Sequence, residues 1–268
     1  MKPLGVGCFI LLLLAGVSSA QTQRPHSPLP SLPLAEAEKA LADFRSSGMT
    51  VDLIARFRLR HLPKRGPEPT ALQGTLWMSW RHGRPAARIE LAGRSTLLVR
   101  SEGVTRAWVA PLGSTASPIA QANEPLAPGF LLTAHDIQAP YADWTNTRYL
   151  GSERRRGRPL NLYLATAPEG APPASVRFGL DRAYLALIEA STLGPDGKAL
   201  REMRTEEFAQ IGEQWIVAKL SVREVASDNR DVLEVLEACV DARLPAQLFS
   251  PKTLGSKVPE VEGTFIRP

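Results

Sequence analysis

Most of the chain alternates apolar and polar residues with a period of two, which is typical of β-strands with one buried face. In residues 51–60, apolar side chains at the odd positions alternate with Arg56, Arg58 and Arg60. Further strands are predicted at 74–80, 86–91, 95–100, 105–110, 147–151, 160–166, 176–180, 182–193, 200–208 and 215–225. Turn residues separate them, and short strands at this spacing indicate an antiparallel meander.

The period is helical before the first strand. Leu34, Ala37, Leu41 and Phe44 recur every three or four residues, and the polar residues 46–48 follow them. The spacing predicts a helix with a single apolar stripe. Such a stripe must cover another part of the protein.

Four segments are less regular. Residues 111–128, rich in proline, serine and alanine, are predicted to form a long loop, and residues 130–137 a short helix. Residues 231–240 fit a helix or a strand, and we favour the strand because the neighbouring segments are strands. Residues 244–254 are expected to form a closing loop or a single helical turn.

The N-terminus has the features of a secretory signal peptide. Lys2 is positive, residues 6–17 are apolar, and the small residues up to Ala20 suit signal peptidase. We expect cleavage after Ala20. The alternative is an uncleaved anchor, but this apolar stretch is shorter than the ~20 residues that a membrane helix needs. Cys8 lies inside the apolar stretch and not after the small residues, so we expect no lipid anchor.

Composition and charge narrow the class of protein. The apolar content of 44% is ordinary for a chain that folds, and Cys239 is the only cysteine after the expected cleavage, so no internal disulfide is predicted. The net charge of +5 is spread out, with one cluster at Arg154–Arg156 and Arg158. A nucleic-acid binder would concentrate its positive charge beside aromatic residues, so no nucleic-acid partner is expected.

No catalytic set stands out. The chain has no HExxH, Gly-x-Ser-x-Gly or Walker motif. His135 and Asp136 are the most suggestive pair; we interpret them as a polar helix end capped by Asp136, and a hydrolase using both is the alternative. Cys239 lies in an apolar run, where cysteine usually fills the core. We therefore predict no catalytic residue, metal or cofactor.

Two stretches, GTLWMSWRHGRPAARIEL and TLLVRSEGVTRAWVAP, resemble the outer-membrane lipoprotein-sorting family, the LolA-like superfamily. The matching residues are Gly74, Trp77, Pro85, Arg88, Gly103 and Trp108. Later features resemble a related branch of the superfamily: the Asp-Gly hairpin at 194–197, Trp215, the segment LLTAHDIQAPYADW and the ending LPAQLFSPKTL.

The resemblance implies a mainly β fold with some α (α+β), in which a strongly curved, unclosed antiparallel half-barrel is covered by helices. Residues 34–255 are then one half-barrel domain, preceded by the signal peptide 1–20 and a proline-rich linker 21–33, and followed by a loose tail 256–268. In the family, an arginine at the position of Arg88 is tied to lid movement, which makes Arg88 a lid-switch candidate.

The resemblance also implies a function. It suggests a non-enzymatic carrier in the periplasm, a soluble monomer that holds a lipoprotein acyl chain or another lipid and meets a membrane protein of the envelope. An interaction or scaffold module on the same fold, using surface arginines, is the alternative. The pattern does not decide which strand face is concave. The residues predicted to line the lipid groove are Phe57, Leu59, Trp77, Ile89, Leu98, Trp108 and Trp215, with Leu41 and Phe44 from the covering helix.

Overall fold

The structure is a computed structural model that describes residues 29–46, 51–81, 84–114, 117–119, 122–168, 173–240 and 242–268. The predicted signal peptide and most of the linker lie outside the described residues, so their assignment stays a prediction. Within the described ranges, none of the helices has the length and apolar character needed to cross a membrane.

The described residues form two α-helices and a series of β-strands. The helices are α1 (Leu34–Ser46) and α2 (Ala134–Gln138). The strands are β1 (Leu53–Leu62), β2 (Thr70–Ser79), β3 (Ala86–Leu91), β4 (Arg94–Ser101), β5 (Val104–Pro111), β6 (Ser117–Ile119), β7 (Thr147–Arg155), β8 (Arg158–Thr166), β9 (Ser175–Asp181), β10 (Leu187–Leu193), β11 (Ala199–Ile211), β12 (Gln214–Glu224) and β13 (Arg230–Cys239). Short 3₁₀ helices lie at Pro140–Asp143, Ala246–Phe249 and Pro251–Thr253.

All the strands belong to one antiparallel sheet in the order β6-β5-β4-β3-β2-β1-β13-β12-β11-β10-β9-β8-β7. The chain starts in the middle of this sheet, because β1 pairs with both β2 and the last strand, β13. Every other pairing joins strands that follow each other along the chain, and the consecutive strands β6 and β7 form the two edges of the sheet. The predicted meander is confirmed, and so is the strand interpretation of residues 231–240.

The sheet curves strongly without closing. Thirteen strands laid flat at ~4.8 Å each would span about 58 Å. However, two aromatic side chains connect the β4–β5 turn with β9, far apart in strand order: Trp144 Nε1 donates to the Gly103 carbonyl at 2.8 Å, and the Tyr141 ring lies 6.4 Å from that of Trp144 and 5.6 Å from that of Phe178. The two ends of the sheet therefore turn towards each other, which confirms the expected half-barrel.

The inner face of the sheet is the face that the helices cover. Leu41 of α1 is buried in the large inner cluster, and the Tyr163 hydroxyl of β8 donates a hydrogen bond to the Ala37 carbonyl at 2.8 Å. The segment 122–146 links the two ends of the sheet: Trp144 Nε1 donates to the Gly103 carbonyl at 2.8 Å, and the Tyr141 ring lies 5.6 Å from that of Phe178.

The C-terminal segment crosses the outer face, and the expectation of a loose tail is wrong. Ile266 makes two backbone hydrogen bonds with Ala238 of β13, both of 2.8 Å. The Arg56 guanidinium lies 4.4 Å from the centre of the Phe265 ring. The apolar residues of the tail are too sparse to show a period, so their packing is not visible in the sequence pattern.

Two predicted boundaries also change. Residues 182–184 form a turn rather than the start of a strand, because the Asp181 carboxylate accepts hydrogen bonds from the backbone N–H groups of Ala183 and Tyr184 at 2.9 and 3.1 Å. Aspartate commonly stabilises turns in this way. The predicted loop at 111–128 contains the short edge strand β6.

Candidate functional site

An open hollow of about 800 Å³ lies at one end of the half-barrel, between the inner face and the covering segments. This is the end at which β1 begins and β2 and β13 end. The strand residues that line it are Leu53, Ala55, Leu76, Met78, Arg158, Asp181, Leu187, Met203, Thr205, Phe208, Trp215, Ile216, Val217, Leu220, Leu233 and Val235. Its volume falls in the range of sites for small molecules, which are mostly apolar with few polar groups.

Alternation along paired strands produces the apolar wall. Leu53 and Ala55 of β1 lie opposite Met78 and Leu76 of β2, and all four line the hollow. Directly opposed residues of antiparallel strands share a face. A period of two in each strand therefore becomes a continuous apolar surface in the sheet.

The strands β12 and β13 cease to pair where they border the hollow. Their last paired residues are Lys219 and Glu234, and beyond this point β12 pairs with β11 while β13 pairs with β1. Val217 and Val235 lie just past this point, and both line the hollow. The wall of the hollow thus includes a place where two strands diverge.

Aromatic side chains stand exposed at the mouth of the hollow. Tyr184 is 80% exposed and Trp215 is 64% exposed, and both belong to the lining. Arg158 and Asp181 form an ion pair of 3.5 Å beside them. Exposed apolar surface next to a cavity is typical of a ligand-binding site.

Three solved structures share this architecture. A putative outer membrane lipoprotein-sorting protein domain from Vibrio parahaemolyticus has a TM-score of 0.72 at 14% identity, covering 82% of this chain and 99% of its own. A DUF1329 family protein from Desulfovibrio piger has a TM-score of 0.70 at 14% identity, covering 83% and 99%. A LolA superfamily protein from Nitrosomonas europaea has a TM-score of 0.60 at 15% identity, covering 80% and 97%. The chain has a LolA-like fold.

Identities this low establish the fold alone. No protein-family model and no curated protein sequence matches the chain. The half-barrel nevertheless shows where each predicted site residue lies, and therefore which of them line the hollow.

Some predicted groove residues reach the hollow and others fill the core. Phe44 and Trp215 line the hollow. Leu41, Phe57, Leu59, Ile89 and Leu98 lie on the inner face, where they are buried in the large cluster. These five side chains pack the part of the half-barrel beside the hollow and do not border it.

Trp77 and Trp108 lie on the outer face, away from the hollow, which corrects the expectation that they line the groove. Arg88, the lid-switch candidate, lies on the same outer face. Arg88 stands between Trp77 on β2 and Leu97 on β4, and Leu97 lies opposite Trp108 on β5. Leu254 of the C-terminal segment packs with Leu97 and Trp108. The period of two shows which residues share a face, but it does not show which face turns inward.

Arg88 connects the C-terminal segment to the sheet by hydrogen bonds. Its side chain is 1% exposed, and its guanidinium donates to the Ser256 carbonyl at 2.7 Å, to the Thr253 carbonyl at 3.4 Å and to the Glu90 carboxylate at 2.9 Å. Burial lowers the pKa of Arg88, and Glu90 opposes this shift. This position is on the opposite side of the sheet from the helices that cover the hollow.

Much of the lining was not predicted from the amino-acid sequence. Met203 and Phe208 of β11 and the residues of the β9–β10 loop border the hollow but were not singled out. The alternation within β11 is a usable signal, since Met203 and Thr205 are two residues apart and both line the hollow. The irregular pairing after Thr205 then breaks this period before Phe208.

The interpretation of Asp136 as a helix cap is confirmed. Its carboxylate accepts hydrogen bonds from the Thr133 backbone N–H at 2.7 Å and from the Thr133 hydroxyl at 2.8 Å, and it pairs with Arg201 at 2.6 Å. Burial lowers the pKa of the adjacent His135, and the Asp136 charge opposes the shift. Cys239 is fully buried in an outer-face cluster, as expected of a core residue.

The basic cluster and the possible metal ligands give weaker support for a binding site. Arg155, Arg156 and Arg158 of the basic cluster form ion pairs with Glu153, Glu206 and Asp181 respectively, which leaves less of their charge for a partner. Across the described part of the chain, no group of three or more His, Cys, Asp or Glu residues could hold a metal ion.

Proposed function

We propose that this protein is an exported carrier or binding protein that holds an acyl chain, of a lipoprotein or of another lipid, in the hollow. The observation that carries the proposal is the open, mainly apolar hollow of about 800 Å³ on the inner face of the sheet, beside the buried inner cluster. Each methylene moved from water into such a site gains about 0.8 kcal/mol. A bound chain would also cover the exposed surface of Trp215.

The LolA-like fold supports the proposal, because one protein with this fold is described as a putative outer membrane lipoprotein-sorting protein domain. The signal-peptide features support a periplasmic location, and Gln21, rather than a cysteine, directly after Ala20 supports a diffusible form. Within this proposal, residues 34–255 act as one half-barrel domain. Holding an acyl chain requires exclusion of water and no catalytic group, metal or cofactor.

Native mass spectrometry of the protein, purified from its own compartment, tests the proposal directly. The expected result is a co-purifying lipid. A fluorescent fatty acid, displaced by unlabelled lipid, would then measure affinity for the delipidated protein.

Val217→Asp is the informative variant, because Val217 lines the hollow and is 39% exposed, so a carboxylate there should not unfold the sheet. It should weaken fatty-acid binding about tenfold or more, since a buried chain would desolvate the charge. Val104→Asp is the matched control: Val104 is 46% exposed on β5 and does not line the hollow, so affinity should not change. Absence of any lipid, together with equal behaviour of both variants, would contradict the carrier proposal.

A further inference from the structure

A second cavity of about 250 Å³ lies at the other end of the inner face. It sits where β10 ends and β11 begins, under the segment that contains α2, and its lining includes His135, Tyr141 and Arg201. We call it the side cavity. Nothing in the proposed carrier function so far requires it.

The side cavity and the hollow share a wall. Asp136 and Met203 are the two residues that line both. Met203 is buried in the inner cluster, and methionine is an unbranched side chain with several rotatable bonds that adapts to irregular spaces. A ligand in the hollow could therefore extend past Met203 along the inner face of β11.

Tyr141 presents a buried hydroxyl without a partner. Its side chain is 4% exposed, and its Oη makes no hydrogen bond with any described residue. Burial, followed by the charge of Asp136, raises the pKa of Tyr141, so the hydroxyl stays protonated. Asp136 and Arg201, which influence this hydroxyl, both line the side cavity. Buried hydroxyls are nearly always hydrogen-bonded, so this one indicates an absent acceptor.

The charges around the side cavity favour a neutral acceptor. The Arg201 guanidinium is already held by the Asp136 carboxylate at 2.6 Å, by the Thr133 hydroxyl at 3.2 Å and by the Leu131 carbonyl. Burial lowers the pKa of His135, which keeps its imidazole uncharged near neutral pH. Among the described lining residues, a phosphate or carboxylate would find no unpaired cation, whereas a carbonyl oxygen would find the Tyr141 donor.

We propose that the side cavity receives the carbonyl group of an acyl ester or amide whose chain lies in the hollow, and that the Tyr141 hydroxyl donates a hydrogen bond to this carbonyl. The inference rests on the proposed carrier function and adds a chemical class to it. The ligand would be a neutral acyl lipid, selected at its linkage and not only by its chain.

Two matched probes test this inference: a monoacylglycerol and a 1-O-alkylglycerol of equal chain length, which differ only in the ester carbonyl. The delipidated protein should bind the ester about tenfold more tightly than the ether, the difference expected of one buried hydrogen bond. Tyr141→Phe should abolish this preference by weakening the ester alone. The variant should fold, because the lost hydroxyl bonds to no described residue.

Tyr163→Phe is the matched control. Its hydroxyl donates to the Ala37 carbonyl at 2.8 Å, and Tyr163 does not line the side cavity. This variant should melt at a lower temperature but keep the preference for the ester. Equal binding of both probes by the unaltered protein, or an equal loss of both in Tyr141→Phe, would overturn the inference and leave the carrier function standing. If neither probe binds the unaltered protein, the carrier function fails and the inference with it.

Discussion

The outer and inner faces of the half-barrel are built from the same alternating strands, but they are covered in different ways. On the outer face, the C-terminal segment packs directly against the side chains of the strands. Two of its own residues are buried there: Leu248 packs in the cluster with Trp77, and Leu254 packs in the cluster with Leu97. On the inner face, the segment containing α2 bridges the ends of the curved sheet, and α1 packs beside it, which leaves the hollow unfilled by side chains. A short segment can pack closely against a convex surface. Filling the space inside a concave surface takes more side-chain volume than two short helices supply.

Removing the Arg88 side chain tests the outer face and should have the largest effect. Arg88→Ala removes the guanidinium that donates to the Ser256 carbonyl at 2.7 Å and empties a buried site. We expect a loss of about 3 kcal/mol in the free energy of unfolding, measured with urea. Arg106→Ala is the control: Arg106 is exposed on β5, and its loss should cost less than about 0.5 kcal/mol.

The same Arg88 variant also tests whether the two faces are independent. If they are, the folded variant should bind a fatty acid with unchanged affinity, because Arg88 does not line the hollow. A large change in affinity at full folding would contradict this independence and support the lid-switch role that the family resemblance suggested.

A glycine substitution tests the cover of the inner face. Gly103 has φ +73°, and a Cβ there would lie 2.8 Å from the Trp144 ring, the side chain that ties the covering segment to the β4–β5 turn. Gly93 also has φ +73° but has no atom within 4 Å of a Cβ. Gly103→Ala should destabilise the protein by about 2 kcal/mol and Gly93→Ala by about 1 kcal/mol, as measured by thermal unfolding. An equal loss of stability in both variants would mean that the contact between Gly103 and the Trp144 ring does not affect stability.

The pH dependence of stability should show the smallest effect, and it concerns His135 in the segment that covers the inner face. Burial lowers the folded pKa of His135 below its ordinary value of 6.5, with Asp136 opposing and Arg201 reinforcing the shift. Below pH 6.5 the unfolded chain therefore binds more protons at this site, and stability should fall as the pH drops through the folded pKa. His135→Gln should lose this part of the decline below pH 6.5. If the free energy of unfolding depends on pH in the same way in both proteins, His135 is not the source of this decline.

Much of the fold was predictable because it depends on local rules. The α1 helix, the hairpins and the strand at 231–240 follow from periodicity and turn residues, which act over a few neighbours. The turn after Asp181 was missed because its cause is a side chain bonding to the backbone, which competes with an apolar pattern that still favoured a strand.

The candidate site was harder to predict because it depends on distant residues. Phe44 and Trp215 were expected in the groove and line the hollow, whereas Met203 and Phe208 were not foreseen. Trp77 was expected there as well, yet it packs on the outer face with Cys239 and Leu244. Aromatic character marks a residue for burial, but both faces of this sheet bury aromatic residues.

The amino-acid sequence by itself determined that the chain forms antiparallel strands, which residues in each strand share a face, and that one amphipathic helix precedes them. Only the tertiary structure decided which face turns inward, where the hollow lies and how the C-terminal segment docks. The physical reason is that side-chain alternation is a property of a single extended strand. The sign of the curvature and the fit of its covers arise from contacts between residues up to about two hundred positions apart, such as Asp52 and Leu244, whose backbone N–H donates to the Asp52 carboxylate at 2.7 Å.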